Sequence, residues 1–447
     1  MSVSGIMLNM LEMSNIIWND GIFHSFEMGI IIASRMWGIA LSGLVVGRLA
    51  DKFSRKILLM GMASLISLGR ILNGFAQESN PKSYGFFIFC SVLVGLGLGG
   101  LDPIILSYTN DALNPKIRSK YFSIQESSRQ IGAICGTIVS AILFQTGLWR
   151  VYFWGTGILI AALGIIIFYF LKEPKRGQNS QSDLSELLKT TDITYDYQLT
   201  KKTIRSTIFS PTNIIAFIEG VFTWLIFSTA LYMIYPYVQS PPYNISAVSS
   251  SILMIMFGMP GAIFGALIFG RLSDSLGNRD IRWRVLLITF SIIGLFISII
   301  LIFMVPLVEL TPEQGNDFRL LLSHPSAWIL GGVMFSLRAV LGIYFINQNP
   351  IIQAINLPEA QGTVTAWGQF LETIANGLGP MIAGYLLSIN QGNYFEAIKF
   401  IILLGLPGAV LWVISLKFIK TDAKRIQTIL KERTEELKNT HQNNQAI

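Results

Sequence analysis

Apolar runs follow one another along almost the whole chain, most of them more than twenty residues long and divided by short polar turns. About 20 apolar residues suffice for an α-helix to cross the hydrocarbon core of a bilayer. In that medium the backbone must satisfy its own hydrogen bonds, and a helix does so within a single segment. The runs lie at 4–18, 24–49, 57–77, 83–110, 121–144, 149–171, 211–236, 247–270, 284–307, 326–347, 360–388 and 394–417. They predict an all-α integral membrane protein with twelve transmembrane helices in two six-helix, pseudo-symmetric bundles. The bundles are residues 1–171 and 210–417, joined by a polar linker at 172–209 and followed by a polar tail at 418–447. The first run is short for a full span, so either its helix is shortened at one end or further residues precede it. No basic stretch and small-residue cleavage site mark it as a removable signal. In the tail, Ile426, Ile429, Leu430 and Leu437 have helical spacing, which suits either a short surface helix or a frayed extension of the last span.

A repeat underlies the division into halves. Gly47-Arg48-Leu49-Ala50-Asp51-Lys52-Phe53-Ser54-Arg55-Lys56 forms a charged turn between the second and third runs. Gly270-Arg271-Leu272-Ser273-Asp274-Ser275-Leu276-Gly277 returns 223 positions later, between the eighth and ninth. Pro115 to Arg118 corresponds to Pro358 to Gln361, and Gly136 to Gly379, both at an offset of 243. Internal repetition in a hydrophobic chain points to a transporter built from two related halves.

Composition narrows the choice. Charged residues make up 13% of the chain, about half the share of an ordinary soluble domain. The net charge of +7 is distributed as a topology signal. Alternate loops and the tail carry 25 Lys and Arg, against four (Lys82, Arg150, Arg319 and Lys399) on the other side. The positive-inside rule then puts both termini in the cytoplasm, in a multi-pass protein of the cell membrane. The same distribution argues against nucleic acid as a partner. Cys90 and Cys135 lie within apolar runs, and His24, His324 and His441 are scattered. No disulfide framework or metal site is expected. Without a Gly-x-x-x-x-Gly-Lys-Ser/Thr loop, no nucleotide or other cofactor is expected. No compact catalytic arrangement suggests an enzyme.

The turn Gly47 to Lys56 resembles the signature between the second and third helices of the major facilitator superfamily, with Ser54 where that pattern usually has glycine. Gly270 to Gly277 resembles its weaker second-half counterpart. The resemblance covers essentially the full chain and implies alternating access by two six-helix bundles around a central cavity. Spinster-like lipid transporters offer a narrower likeness through Gly99-Gly100-Leu101-Asp102-Pro103, with Asp111 and Arg118 downstream, and through Asn9-Met10-Leu11-Glu12. Met10 and Glu12 depart from that family's first-helix pattern. Asn376-Gly377-Leu378-Gly379-Pro380 is similar to the glycine-proline motif of antiporters, which the first half lacks at Gly132 to Gly136. The resemblance implies gating roles for Gly47, Asp51, Arg55, Lys56, Asp102, Arg118, Gly270 and Asp274. A cytoplasmic charge cluster of this kind either latches the bundles or only enforces topology.

Charges within the runs are costly on lipid and persist in a wet or paired setting. Glu12, Glu219, Glu126 and Glu372 are candidates for proton coupling, Glu12 and Glu219 foremost, as carboxylates that the resemblance sets facing each other from opposite halves. Arg129, Arg338 and Arg35 are candidates for binding an anionic cargo, because guanidinium holds a carboxylate or phosphate bidentately and stays charged. Arg35 suits structural pairing equally well. Trp224, with Phe222, Tyr232, Tyr235 and Tyr237, can contact apolar cargo, although packing explains such residues too. The expectation is a proton-coupled symporter or antiporter, acting as a monomer on an organic anion or a zwitterionic amphiphile such as a lysolipid. The alternatives are a multidrug/proton antiporter exporting hydrophobic cations, and a nontransporting receptor or scaffold.

Overall fold

A computed structural model describes residues 7–50, 53–112, 115–173 and 208–445. The helices in chain order are α1 (Met10–Trp18), α2 (Ser25–Ala50), α3 (Arg55–Asn73), α4 (Ser83–Ala112), α5 (Pro115–Gln145) and α6 (Trp149–Phe170). They continue as α7 (Pro211–Gln239), α8 (Ala247–Arg279), α9 (Arg282–Met304), α10 (Pro325–Ile355), α11 (Pro358–Ile389), α12 (Tyr394–Ser415) and α13 (Ile419–Gln445). No strand occurs among the described residues. Ten helices, α2 to α10 and α12, are long and apolar enough to cross a membrane. α11 is long enough but carries Glu359, Gln361, Thr363, Thr365, Gln369 and Glu372 in its first half, and α1 is described over nine residues.

Two local features differ from the sequence reading. Gly270 to Gly277 is not a turn, because α8 continues helically to Arg279. The helix ends where Asp280 becomes extended and its carboxylate accepts the Arg282 N–H at 3.0 Å. α4 runs unbroken through Pro103, a residue that removes one helical hydrogen bond. The call on Asp51 lies outside the described residues, as does the linker at 174–207.

Within the first half, α4 packs against α2 and α3, and α3 against α6. Within the second, α7 packs against α11 and α12, while α10 receives α8 and α9. The halves meet along α2 with α11 and along α5 with α8. The α2–α11 contact is close because both helices present glycine: a Cβ on Gly29 would stand 2.4 Å from the Pro380 carbonyl oxygen, and one on Gly384 2.2 Å from that of Ser25. Polar links close the same end. The Ser25 hydroxyl donates to the Gly384 carbonyl at 2.8 Å, Tyr232 donates to the Ser25 carbonyl, Gln239 to that of Leu8 at 2.9 Å, and Gln145 to Asn316. Overpacking a tight contact costs about 1–3 kcal/mol. Gly29→Val should therefore weaken this closure, and spin labels on cysteines placed at Gln145 and Asn316 should move apart. An unchanged distance would show that the glycine contact does not hold the closure.

The opposite end carries the basic turns and α13. After a turn at 416–418, α13 forms a helix of its own rather than an extension of α12, burying Ile419, Ala423 and Ile426. Asp422 accepts from the Thr212 N–H at 3.1 Å and its hydroxyl at 2.6 Å, which caps the first turn of α7. Lys420 pairs with Asp280 at 2.6 Å and Arg433 with Glu359 at 2.8 Å. The hydrogen bond from Lys420, together with that from the Arg282 N–H, holds the Asp280 carboxyl below its ordinary range.

Candidate functional site

A cavity of about 450 Å³ opens between the halves on the basic side. α2 and α4 line it through Ile39, Gly43, Leu98 and Asp102, and α7, α10 and α11 through Trp224, Phe345, Gln348, Glu372 and Asn376. Gln348 donates to Glu372 at 2.8 Å, and the Trp224 ring lies 5.8 Å from Phe345 between centroids. Behind this wall Glu219 is completely buried. It accepts from Thr223 on its own helix and from the Tyr344 hydroxyl of α10 at 3.0 Å. Glu219 and Glu372 are near enough to interact electrostatically, and Glu372 packs over Gly220. Their hydrogen-bond donors are neutral, and among the described residues no lysine or arginine pairs with either carboxylate.

A second cavity, of about 230 Å³, lies where α5 meets α7, α8 and α10. α5 lines it with one helical face, Gln130, Ala133, Ile134 and Thr137, and the other helices contribute Tyr235, Ser251, Met254, Met259 and Arg338. The Arg338 guanidinium lies 5.7 Å from the centre of the Phe227 ring, and among the described residues no carboxylate pairs with it. Beside it α8 makes a π-turn at Met254–Gly258. A Cβ on Gly258 would lie 3.4 Å from Arg338 Cγ, so this turn of α8 runs alongside the guanidinium stem. Wide turns of this kind recur at functional sites, where they redirect side chains and loosen a helix locally.

The other sequence candidates fall elsewhere. Glu12 is exposed on α1 and lines neither cavity, and the groups that interact with Glu219 do not include it. Arg129 pairs with Asp102 at 2.7 Å, joining a cargo candidate to a gating candidate. Arg35 is buried among first-half helices. Gly47 sits near the end of α2 in ordinary contact with Pro103. In the second half Gly270 has open space around it, and Asp274 meets Arg284 at 2.9 Å while Arg284 also donates to Ser273 at 3.0 Å. The calls on the side chains of Glu126 and Arg118 lie outside the described residues.

Glu173 and Tyr344 were missed. Tyr344 lies one turn before Gln348, and the polar run Asn347-Gln348-Asn349 inside α10 is the signal that marks this part of the helix. Glu173, just past α6, accepts from the backbone N–H of Arg55 and of Lys56, both at 3.0 Å, and from the Ser54 hydroxyl at 2.8 Å. It thus caps α3, while Arg55 Nε donates to Ser107 of α4 at 2.9 Å. Partial burial pushes the Glu173 carboxyl up, but the hydrogen bonds from Lys56, Arg55 and Ser54 and the Arg55 charge outweigh it and hold it below its ordinary 4.5. A depressed folded-state value stabilises the fold above the unfolded value and loses that contribution as pH falls through the folded one. Glu173→Gln should lower the thermal midpoint at pH 7 and shrink its fall on acidification below about pH 4.5. An acid profile identical to that of the native chain would remove this role.

Ten membrane-length helices with cavities between them are the architecture of a multi-pass membrane protein. The chain belongs to the Major Facilitator Superfamily, whose sequence profile matches residues 2–380. Members of that family move small molecules across membranes and are not enzymes. The chain is similar to the benzoate transport protein of Acinetobacter baylyi, 21% identical over 427 residues that cover 89% of this chain and 82% of the relative. It is 23% identical over 374 residues to the 3-(3-hydroxy-phenyl)propionate transporter of Escherichia coli, covering 82% and 79%. Among solved structures it resembles the inward-facing, unoccupied bacterial homologue of the human lysosomal transporter Spinster. The TM-score is 0.57 at 17% identity, with 95% of this chain and 98% of that one covered. At that identity the likeness shows the fold alone.

Proposed function

We propose that the chain is a proton-coupled secondary transporter for an organic anion, with an aromatic monocarboxylate as its cargo class. Arg338 carries this reading: a permanently charged donor fork faces a cavity at the junction of the halves with no acidic partner among the described residues, above the face of Phe227. A carboxylate can take both donors of such a fork, and Tyr235, Ile134 and Met254, which line the cavity, suit an aromatic body. Of the three arginines read from the sequence, Arg129 is engaged by Asp102 and Arg35 lines neither cavity. The benzoate and 3-(3-hydroxy-phenyl)propionate relatives favour the same class.

In this reading twelve helices form two bundles, 1–171 and 210–417, that rock about the cargo in a monomer with both termini cytoplasmic in the cell membrane. Glu219 and Glu372 exchange the coupling proton. The test is uptake of benzoate and 3-(3-hydroxyphenyl)propionate into proteoliposomes under an imposed pH gradient, with lysolipid and xylose as competitors. Accumulation of the aromatic acids, blocked by one another and not by the other solutes, is expected; uptake of neither acid by folded protein would overturn the reading. The acidic and aromatic wall of the larger cavity, Glu372 with Trp224 and Phe345, favours export of hydrophobic cations as the second reading. That reading predicts transport of a lipophilic cation instead.

A further inference from the structure

We propose that the first-half helices enclose a binding site for a small inorganic anion between Arg35 of α2 and Arg70 of α3. Both arginines retain only 2% of their accessible surface. They lie near enough to repel each other, and Arg35 also interacts with Tyr152 of α6. The Arg70 guanidinium stands 5.5 Å from the centre of that Tyr152 ring. Arg35 Nε and Nη1 and Arg70 Nε are buried without a hydrogen-bond acceptor. Among the described residues no carboxylate pairs with either side chain. Glu78, the acidic group flanking α6 at this end, is taken by Trp149 Nε1 at 3.0 Å and by Arg150 at 2.7 Å.

Three costs coincide at this place. A guanidinium does not discharge itself by losing a proton. A buried N–H without an acceptor forfeits its hydration. Two like charges in a low dielectric repel. The face of Tyr152 offsets part of the charge on Arg70 but accepts none of the orphaned N–H groups in their plane. One monovalent anion between the two forks answers all three costs.

The same chemistry could come from a halide or from the carboxylate of a cargo. Neither arginine lines either cavity, and both are enclosed, which favours the halide. The site does not depend on Arg338 or on the cargo assignment. Its consequence is that chloride stabilises the first-half helices, in which α4 packs against both α2 and α3 and α3 against α6, as an integral part of the fold.

The experiment is thermal unfolding of the purified full chain in detergent. Sodium chloride is titrated against sodium gluconate at equal ionic strength, with sodium benzoate as a third arm. The midpoint should rise saturably with chloride, stay level with gluconate, and lose its chloride response in Arg35→Gln and in Arg70→Gln. If one variant fails to fold, the other carries the comparison. A native midpoint indifferent to chloride overturns the site, as does a chloride response that survives substitution. Stabilisation by benzoate alone, abolished in Arg35→Gln, also overturns it and assigns the guanidinium to cargo instead.

Discussion

Arg338→Gln should reduce benzoate uptake efficiency at least about thirtyfold while leaving the protein folded. Glutamine keeps some of the side chain's length and can donate hydrogen bonds, but it removes the charge and the two-pronged geometry. Removing one partner of a buried, hydrogen-bonded charge pair costs about 2–5 kcal/mol, and about 1.4 kcal/mol is a factor of ten. Most of the loss should appear in KM if the fork binds cargo similarly through the cycle. Arg338→Lys should recover only part, because ammonium offers a point charge in place of a planar fork. A structural role makes a different prediction. Arg338 would then matter through its stacking on Phe227, the thermal midpoint would fall, and every cargo would lose transport alike. Equal loss for an aromatic acid and for its uncharged amide would sink the recognition role.

Residue types and their periods made the helical fold legible: ten of the apolar runs recur as helices long and apolar enough to span a bilayer. Local geometry was less legible where a partner arrives from a distant helix. Gly270 to Gly277 carries turn-like residues, yet it remains helical while Arg284 folds back from α9 to Asp274 and Ser273. Arg129 and Asp102 are 27 residues apart in sequence and meet only because α4 and α5 bring them to one place. Intramembrane charge drew attention to Glu219, Glu372 and Arg338 without revealing their surroundings. The donors on Glu219 come from Thr223 and Tyr344, and hydroxyl groups in an apolar helix carry little signal until the packing is known. Glu173 was obscured by the opposite problem, since it sits at the edge of a polar segment where one more carboxylate is ordinary.

Glu372→Gln and Glu219→Gln should each abolish gradient-driven accumulation while leaving cargo exchange across the membrane. The two carboxylates lie within one half of the chain, on α11 and α7, and interact without a basic partner among the described residues. Their neutral donors orient them but cancel no charge, so placing two negative charges there costs Coulomb energy that a bound proton relieves. Glu372 lines the larger cavity whereas Glu219 lies behind it. In the proposed cycle a proton arriving from the cavity would meet Glu372 first, with Glu219 as the second position for its transfer. For one proton carried with one monocarboxylate, each unit of pH gradient supports about tenfold accumulation. The variants should bring that ratio to about one, with labelled benzoate still exchanging against unlabelled benzoate. Loss of exchange as well would indicate a damaged pathway rather than lost coupling. Glu12→Gln belongs in the same assay: if it alone uncouples the cycle, the proton is carried on α1 and the Glu219–Glu372 pair is only part of the packing.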